Sequence, residues 1–187
     1  MEFTSTDIVL GLILGGAFLL GFFWGVIRSL LMFGAWFVVF LVSAYLAEPL
    51  GSWLEKQWTN LSPDYNRMAA FMILYIVGLI LAFILVHIGT RGVQGLTRWP
   101  FLDDIAGAVL CTATAALGIA GVIIIFRTFF GAAPGADVIL GPSWVLDVYR
   151  ALLDSKIGSA IAEKLVPLLG QVLGPVLPAT VRDAMAA

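Results

Sequence analysis

Few residues in this chain have the type and spacing that chemistry requires. His87 is its only histidine and Cys111 its only cysteine. A paired-histidine metal site, an internal disulfide and a cysteine-based metal site are therefore all excluded, and Cys111, set in an apolar run, reads as a small packing residue. There is no strained serine elbow and no glycine-rich phosphate loop followed by lysine. The expectation is a non-enzymatic protein with no catalytic, cofactor-binding or metal-binding residues. His87, near the end of an apolar helix, reads first as a hydrogen-bonded or interfacial residue and second as a proton relay. Tyr75, His87, Thr112 and Thr114 are the candidates for lining a polar path. Their hydroxyls can equally be satisfied on backbone carbonyls, as can those of Ser43 and Tyr45.

The charges carry more information. Arg28 and the Asp103-Asp104 pair flank long apolar runs, and the topology argued below brings them to the same side of a membrane. A charge-assisted bond between them would tie a helical hairpin to the last apolar helix. The alternative has Arg28 reaching lipid phosphate while Asp104 caps that helix.

The elements that must position these residues follow from one stretch. Residues 8–47 contain a single charge, Arg28. One straight helix of that length would be about 60 Å long, roughly twice the hydrocarbon thickness of a bilayer. The run must double back, and Gly25 followed by Arg28 is the corner: glycine takes a conformation that ends a helix, and arginine with Trp24 anchors the headgroup level. The predicted apolar helices cover 8–24, 29–47, 69–89 and 105–126. Glu48-Pro49 is expected to close the second. Residues 48–68 form the first polar connection, where Trp53, Leu54, Trp58 and Leu61 recur at the spacing of a short interfacial helix. Small residues four apart (Gly11 and Gly15; Ala17, Gly21 and Gly25; Ala108, Thr112, Ala116 and Ala120) offer close packing faces. Asp7 or Thr6 caps the first helix. The run Asp7-x3-Gly11 resembles Asp103-x3-Gly107, too short a match to argue duplication.

The composition agrees with a membrane protein: 61% of residues are hydrophobic, 12% are charged, and the mean hydropathy is +1.03. A net charge of −2 with no basic block makes nucleic acid an unsuitable partner. Glu2 and Asp7 without a lysine or arginine argue against a cleavable signal peptide. The domain reading is a four-helix transmembrane unit at 1–127, then a Gly/Pro-rich linker and amphipathic helices at 128–187. In that tail, Trp144, Val145, Val148 and Leu152 define one apolar face, and Ile157, Ile161, Leu165, Leu168 and Leu169 another. Basic residues near the spans are balanced between the two sides. The lead before the first helix has no positive charge, which favours termini outside.

Gly25-x2-Arg28-x7-Trp36 in a first hairpin, followed by Asp103-x3-Gly107 opening a fourth helix, resembles the CvpA family, the colicin V production proteins, over residues 4–126 and more weakly around Ser155. The resemblance implies a bacterial inner-membrane protein linked to toxin production or export and to envelope homeostasis, with no reaction. Related modules fused to periplasmic proteases would favour an outside C-terminus. Ser29 stands where the family commonly has Glu, and Asp104 where a basic residue often follows the Asp, so the resemblance carries no second ion pair. The fold class expected is all-α: a polytopic membrane protein with four transmembrane helices plus amphipathic C-terminal helices. The functional reading is an accessory or scaffold working in the bilayer as a homo-oligomer or with other membrane proteins, with Gly21, Gly25, Arg28, Trp36, Asp103, Asp104 and Gly107 as its key residues. A small oligomeric channel or solute transporter is the alternative. Against it, the centres of the apolar helices hold no Asp, Glu, Lys or Arg.

Overall fold

A computed structural model describes residues 4–91, 100–131 and 143–186. The described chain is helical throughout. α1 (Ser5–Gln57), α2 (Pro63–Gly89) and α3 (Pro100–Phe130) are followed by the shorter α4 (Ser143–Asp154), α5 (Lys156–Ala160), α6 (Val166–Leu173) and α7 (Ala179–Ala186). The first three are long and apolar enough to cross a membrane.

α1 is not one rod. Gly25, with φ 73° and ψ 178°, interrupts its helical dihedrals. The arm before it sets Gly21 against Gly107, Ala108 and Cys111 of α3, and Ile13 shares a cavity wall with Gly118 and Val122. The arm after it sets Val26 beside Asp103, connects Trp36 through Tyr75 to Gly118, and brings Ala44 to Phe129. Numbering therefore rises in opposite directions along α3 on the two arms. The chain has doubled back within one residue, as the length argument requires.

α3 is the central helix. Ile123, Ile124 and Ile125 are consecutive and all fully buried, which a helix achieves only when neighbours surround it. Around it pack Trp36, Phe40, Phe71 and Tyr75 from α1 and α2. Val145, Tyr149, Ile161, Val166, Leu169, Leu173, Val181 and Met185 from the C-terminal helices join the same core.

Several boundaries differ from the sequence reading. The second arm passes through Pro49 to Gln57. An internal proline costs about 3 kcal/mol, yet Ala47 before it and Gly51 and Leu54 beyond it are buried, and Gly51 lies against Arg67 of α2. Their packing offsets the lost hydrogen bond. The interfacial helix expected around 53–61 is largely the end of this arm. α2 starts six residues before the predicted 69, because the Ser62 hydroxyl accepts from the Tyr65 N–H at 3.3 Å and Pro63 takes the first helical position. Replacing Ser62 with alanine is expected to destabilise the protein by about 1 kcal/mol, read as a lowered Tm in detergent. α3 starts at Pro100 rather than 105, so Asp104 lies inside the helix and does not cap it. Most of the glycine- and arginine-rich loop before α3 and of the linker after it lies outside the described residues.

The C-terminal faces are also rotated from expectation. In α4 the buried residues are Val145 and Tyr149, with Trp144 and Val148 exposed, because the Tyr149 ring packs against Phe126 and Phe130. Between α5 and α6 the chain widens into a π-helical turn over Ile161–Leu165. Ile161 and Leu169 are buried as expected, but the added residue puts Val166 in the core in place of Leu165 and leaves Leu168 exposed, and the register shift accommodates Pro167, which has no N–H to donate.

Candidate functional site

The corner at Gly25 gathers Gly21, Gly25, Arg28, Asp103 and Gly107, five of the seven key residues. Its dihedrals lie in a region that is essentially glycine's alone. Leaving the helix there frees the first N–H groups of the second arm, and the Asp103 side chain supplies an acceptor: Val26 N–H donates to Asp103 Oδ1 at 3.1 Å. This is a helix cap provided by a carboxylate 77 residues away, with its charge at the positive end of the helix dipole. The space is tight. A Cβ on Gly25 would fall on Asp103 Oδ2, one on Gly107 would lie 2.6 Å from the Gly25 carbonyl carbon, and one on Gly21 would strike the Gly107 carbonyl oxygen. The two backbones are in contact, as small residues permit in membrane helices.

Arg28 is at this corner but not in an ion pair with it. Its Nη2 donates to the Thr90 carbonyl at 3.1 Å, at the end of α2. The Arg28–Asp103 bond expected from topology is absent because Asp103 is occupied by the backbone of the second arm. Asp104, one residue on, is half-exposed without pairing to Arg28. Arg28 instead closes the C-terminal end of α2, where free carbonyls carry partial negative charge.

Trp36 holds a second constellation. Its Nε1–H donates to the Tyr75 hydroxyl at 2.7 Å, and that hydroxyl donates to the Gly118 carbonyl at 3.0 Å. Both rings are fully buried, with Phe40 stacked on Trp36 at 5.3 Å. One indole, one phenol and one carbonyl thus join α1, α2 and α3 with no donor left over.

The four polar-path candidates do not converge. Tyr75 is spent in the link just described. Thr112 and Thr114 donate to the Ala108 and Leu110 carbonyls of their own helix, each at 2.8 Å. His87 is exposed and lies among the rings of Trp24 and Phe83. Of the four, only Thr114 lines the cavity of about 460 Å³ between both arms of α1, α2 and α3, whose other walls include Ile13, Leu20, Trp36, Phe83 and Val122.

Asp7 is the residue whose importance sequence reasoning missed. It is only 2% exposed. Oδ2 accepts from the Thr4 N–H at 3.1 Å, so the N-cap is Thr4 rather than Thr6 or Asp7, and Asp7 closes a capping box from the third helical position. Oδ1 accepts from the Ile157 N–H at 3.0 Å, at the head of α5, where Ser155 also accepts from Gly158 N–H at 2.9 Å. Asp7 thus does for α5 what Asp103 does for the second arm. The Asp-x3-Gly likeness was the available signal. Asp7→Ala is expected to loosen the tail without unfolding the bundle, seen as faster limited proteolysis after residue 143 at an unchanged midpoint of global unfolding. Farther along, burial pushes the Tyr149 phenol up, against the pull of the neighbouring Arg127 guanidinium. The Tyr149 hydroxyl donates to the Gly131 carbonyl at 2.9 Å.

Comparison with known families decides the kinship. A family model described as Colicin V production protein matches residues 6–149. The chain belongs to that family. The match spans both arms of α1, the Asp103 cap, the Trp36–Tyr75 link and α4 through Tyr149, while the α5–α7 tail, with the Ser155 and Ile157 end of the Asp7 contact, lies beyond it. No curated protein and no solved structure matches the chain. Membership and the three apolar helices make this a multi-pass membrane protein.

Proposed function

We propose that this family member is a non-enzymatic accessory or scaffold of the inner membrane, serving toxin production or export and envelope homeostasis by assembling with other membrane proteins or with its own copies. Four crossings, with both arms of α1 as separate spans, put both termini on one side, and the lead before the first span, which has no lysine or arginine, favours the outside. The observation that carries the reading is how the embedded polar groups are spent. Tyr75, Thr112 and Thr114 each donate to an internal carbonyl, so the bundle offers lipid or a partner shape and apolar contact, not a wet conduit. Exposed apolar residues on the first arm (Leu12, Leu19, Phe23) and on α2 (Ile76, Ile80, Leu85) supply area for such contacts.

The test is reconstitution of the purified full chain into liposomes, alongside cross-linking in cells. Vesicles as tight to ions and small solutes as protein-free ones, with a defined cross-linked membrane partner or dimer, are the expected result. Flux that falls with Tyr75→Phe or Thr114→Ala would overturn the scaffold reading in favour of a channel or carrier.

A further inference from the structure

Where α3 ends, it forms a cavity of about 560 Å³ with the π turn, α6 and α7. Arg127, Glu163, Pro167, Gln171, Arg182 and Met185 are among its walls. Two features set it apart from the apolar grooves of the bundle. Two guanidiniums and an amide from three different elements meet one carboxylate, so the cavity is net positive. Arg127 also has its Nε buried without a hydrogen-bond partner. A buried donor left unmade is costly, and in a native protein it signals an unfilled acceptor position.

The depth of Arg127 adds a third constraint. It follows the uncharged residues 105–126 and precedes the end of α3 at Phe130 by less than one turn. With α3 in a bilayer, that level is the headgroup region, where arginine meets lipid phosphate. Competing partners are few: the Arg127 guanidinium has a side-chain hydrogen bond with Tyr149, which leaves its Nε unpartnered. Arg182 reaches only Asp183, at 3.4 Å on the exposed surface, and among the described residues neither Arg127 nor Arg182 is bridged to Glu163. A guanidinium presents several N–H groups in a planar fork that fits the oxygens of a phosphate, and two such forks from α3 and α7 suit a tetrahedral anion better than a planar one. We infer that the Arg127–Arg182 cavity binds a phosphate group at the membrane surface, that of a phospholipid headgroup or of free phosphate. Pro167 and Met185 on the same wall provide apolar contact for whatever carries it. The site lies at the junction of the bundle with its tail, and its existence does not depend on the scaffold reading.

Native mass spectrometry of the full chain in a neutral maltoside detergent tests this with three probes: phosphatidylglycerol, diacylglycerol with the same acyl chains, and millimolar inorganic phosphate as competitor. Phosphatidylglycerol should be retained at least about tenfold better than diacylglycerol. Arg182→Gln, at an exposed residue, should reduce that retention about tenfold. Arg127→Lys, which keeps the charge and loses the fork, should reduce it severalfold with unchanged tryptophan fluorescence. Displacement by inorganic phosphate identifies the phosphate alone as the ligand, and persistence against it identifies the lipid; either supports the site. Equal retention of diacylglycerol, or folded Arg182→Gln and Arg127→Lys proteins that hold phosphatidylglycerol as the parent does, would overturn it.

Discussion

Gly25→Ala should be among the most damaging single-methyl additions this chain can receive, lowering stability by about 2–5 kcal/mol. Two effects combine. A non-glycine residue at φ 73°, ψ 178° carries a backbone cost on the order of 1–3 kcal/mol. The added Cβ also takes the position of Asp103 Oδ2, which breaks the cap on Val26; losing a cap costs about 0.5–2 kcal/mol. The damage spreads, because the Gly21–Gly107 backbone contact depends on the same approach. Asp103→Asn keeps an oxygen acceptor for Val26 and should lose much less than Asp103→Ala, and neither should match Gly25→Ala. The midpoint of unfolding in detergent, followed by tryptophan fluorescence, ranks the three. A Gly25→Ala protein as stable as Asp103→Asn would show that the corner tolerates other conformations and that glycine does not lock the hairpin.

That a corner exists was legible in the sequence, because length against bilayer thickness is arithmetic on residues 8–47. What secures the corner was not. Topology placed Arg28 and Asp103 on one side, and attraction between opposite charges suggested a bond between them. The free Val26 N–H lies closer to the carboxylate and, once glycine has left the helix, has no internal partner, so it takes Asp103, and Arg28 turns to the Thr90 carbonyl. Choosing between these acceptors requires the register of α1 against α3 to within one residue, which periodicity does not supply. Pro49 failed for a related reason. A proline rule describes a lone helix, and the burial of Gly51 and Leu54 against α2 is tertiary. Ser62-Pro63 is a different kind of miss, since a capping serine followed by proline is a local signal for a helix start. In the tail the amphipathic pattern was correct in existence, but Trp144 and Val148 were misplaced because Tyr149 takes the core position, and Leu165 and Leu168 because a π turn adds a residue that no 3.6-residue template contains.

Trp36→Ala should cost about 3–5 kcal/mol, the range for removing a large buried aromatic, and its origin can be separated into packing and hydrogen bonding. Between helices in lipid the hydrophobic effect contributes little, so the loss is mainly of close contact with Phe40 and Phe37 and of fit against α3. The Nε1–H···Tyr75 bond is a smaller part, since interhelical hydrogen bonds in membranes average about 0.6 kcal/mol and reach about 1.7. Trp36→Phe and Tyr75→Phe isolate that part. Tyr75→Phe leaves the indole N–H and the Gly118 carbonyl without their partner in a dry core, so it should cost more than Trp36→Phe leaves uncompensated on the Tyr75 side, where the hydroxyl still donates to Gly118. The double variant should be less destabilised than the sum of the two, because once the hydroxyl is gone the indole N–H has nothing to lose. Unfolding midpoints of the four proteins in detergent give the cycle. Additive losses would mean that the short Trp36–Tyr75 bond carries no energy of its own, and that α1, α2 and α3 are joined at this level by ring packing alone.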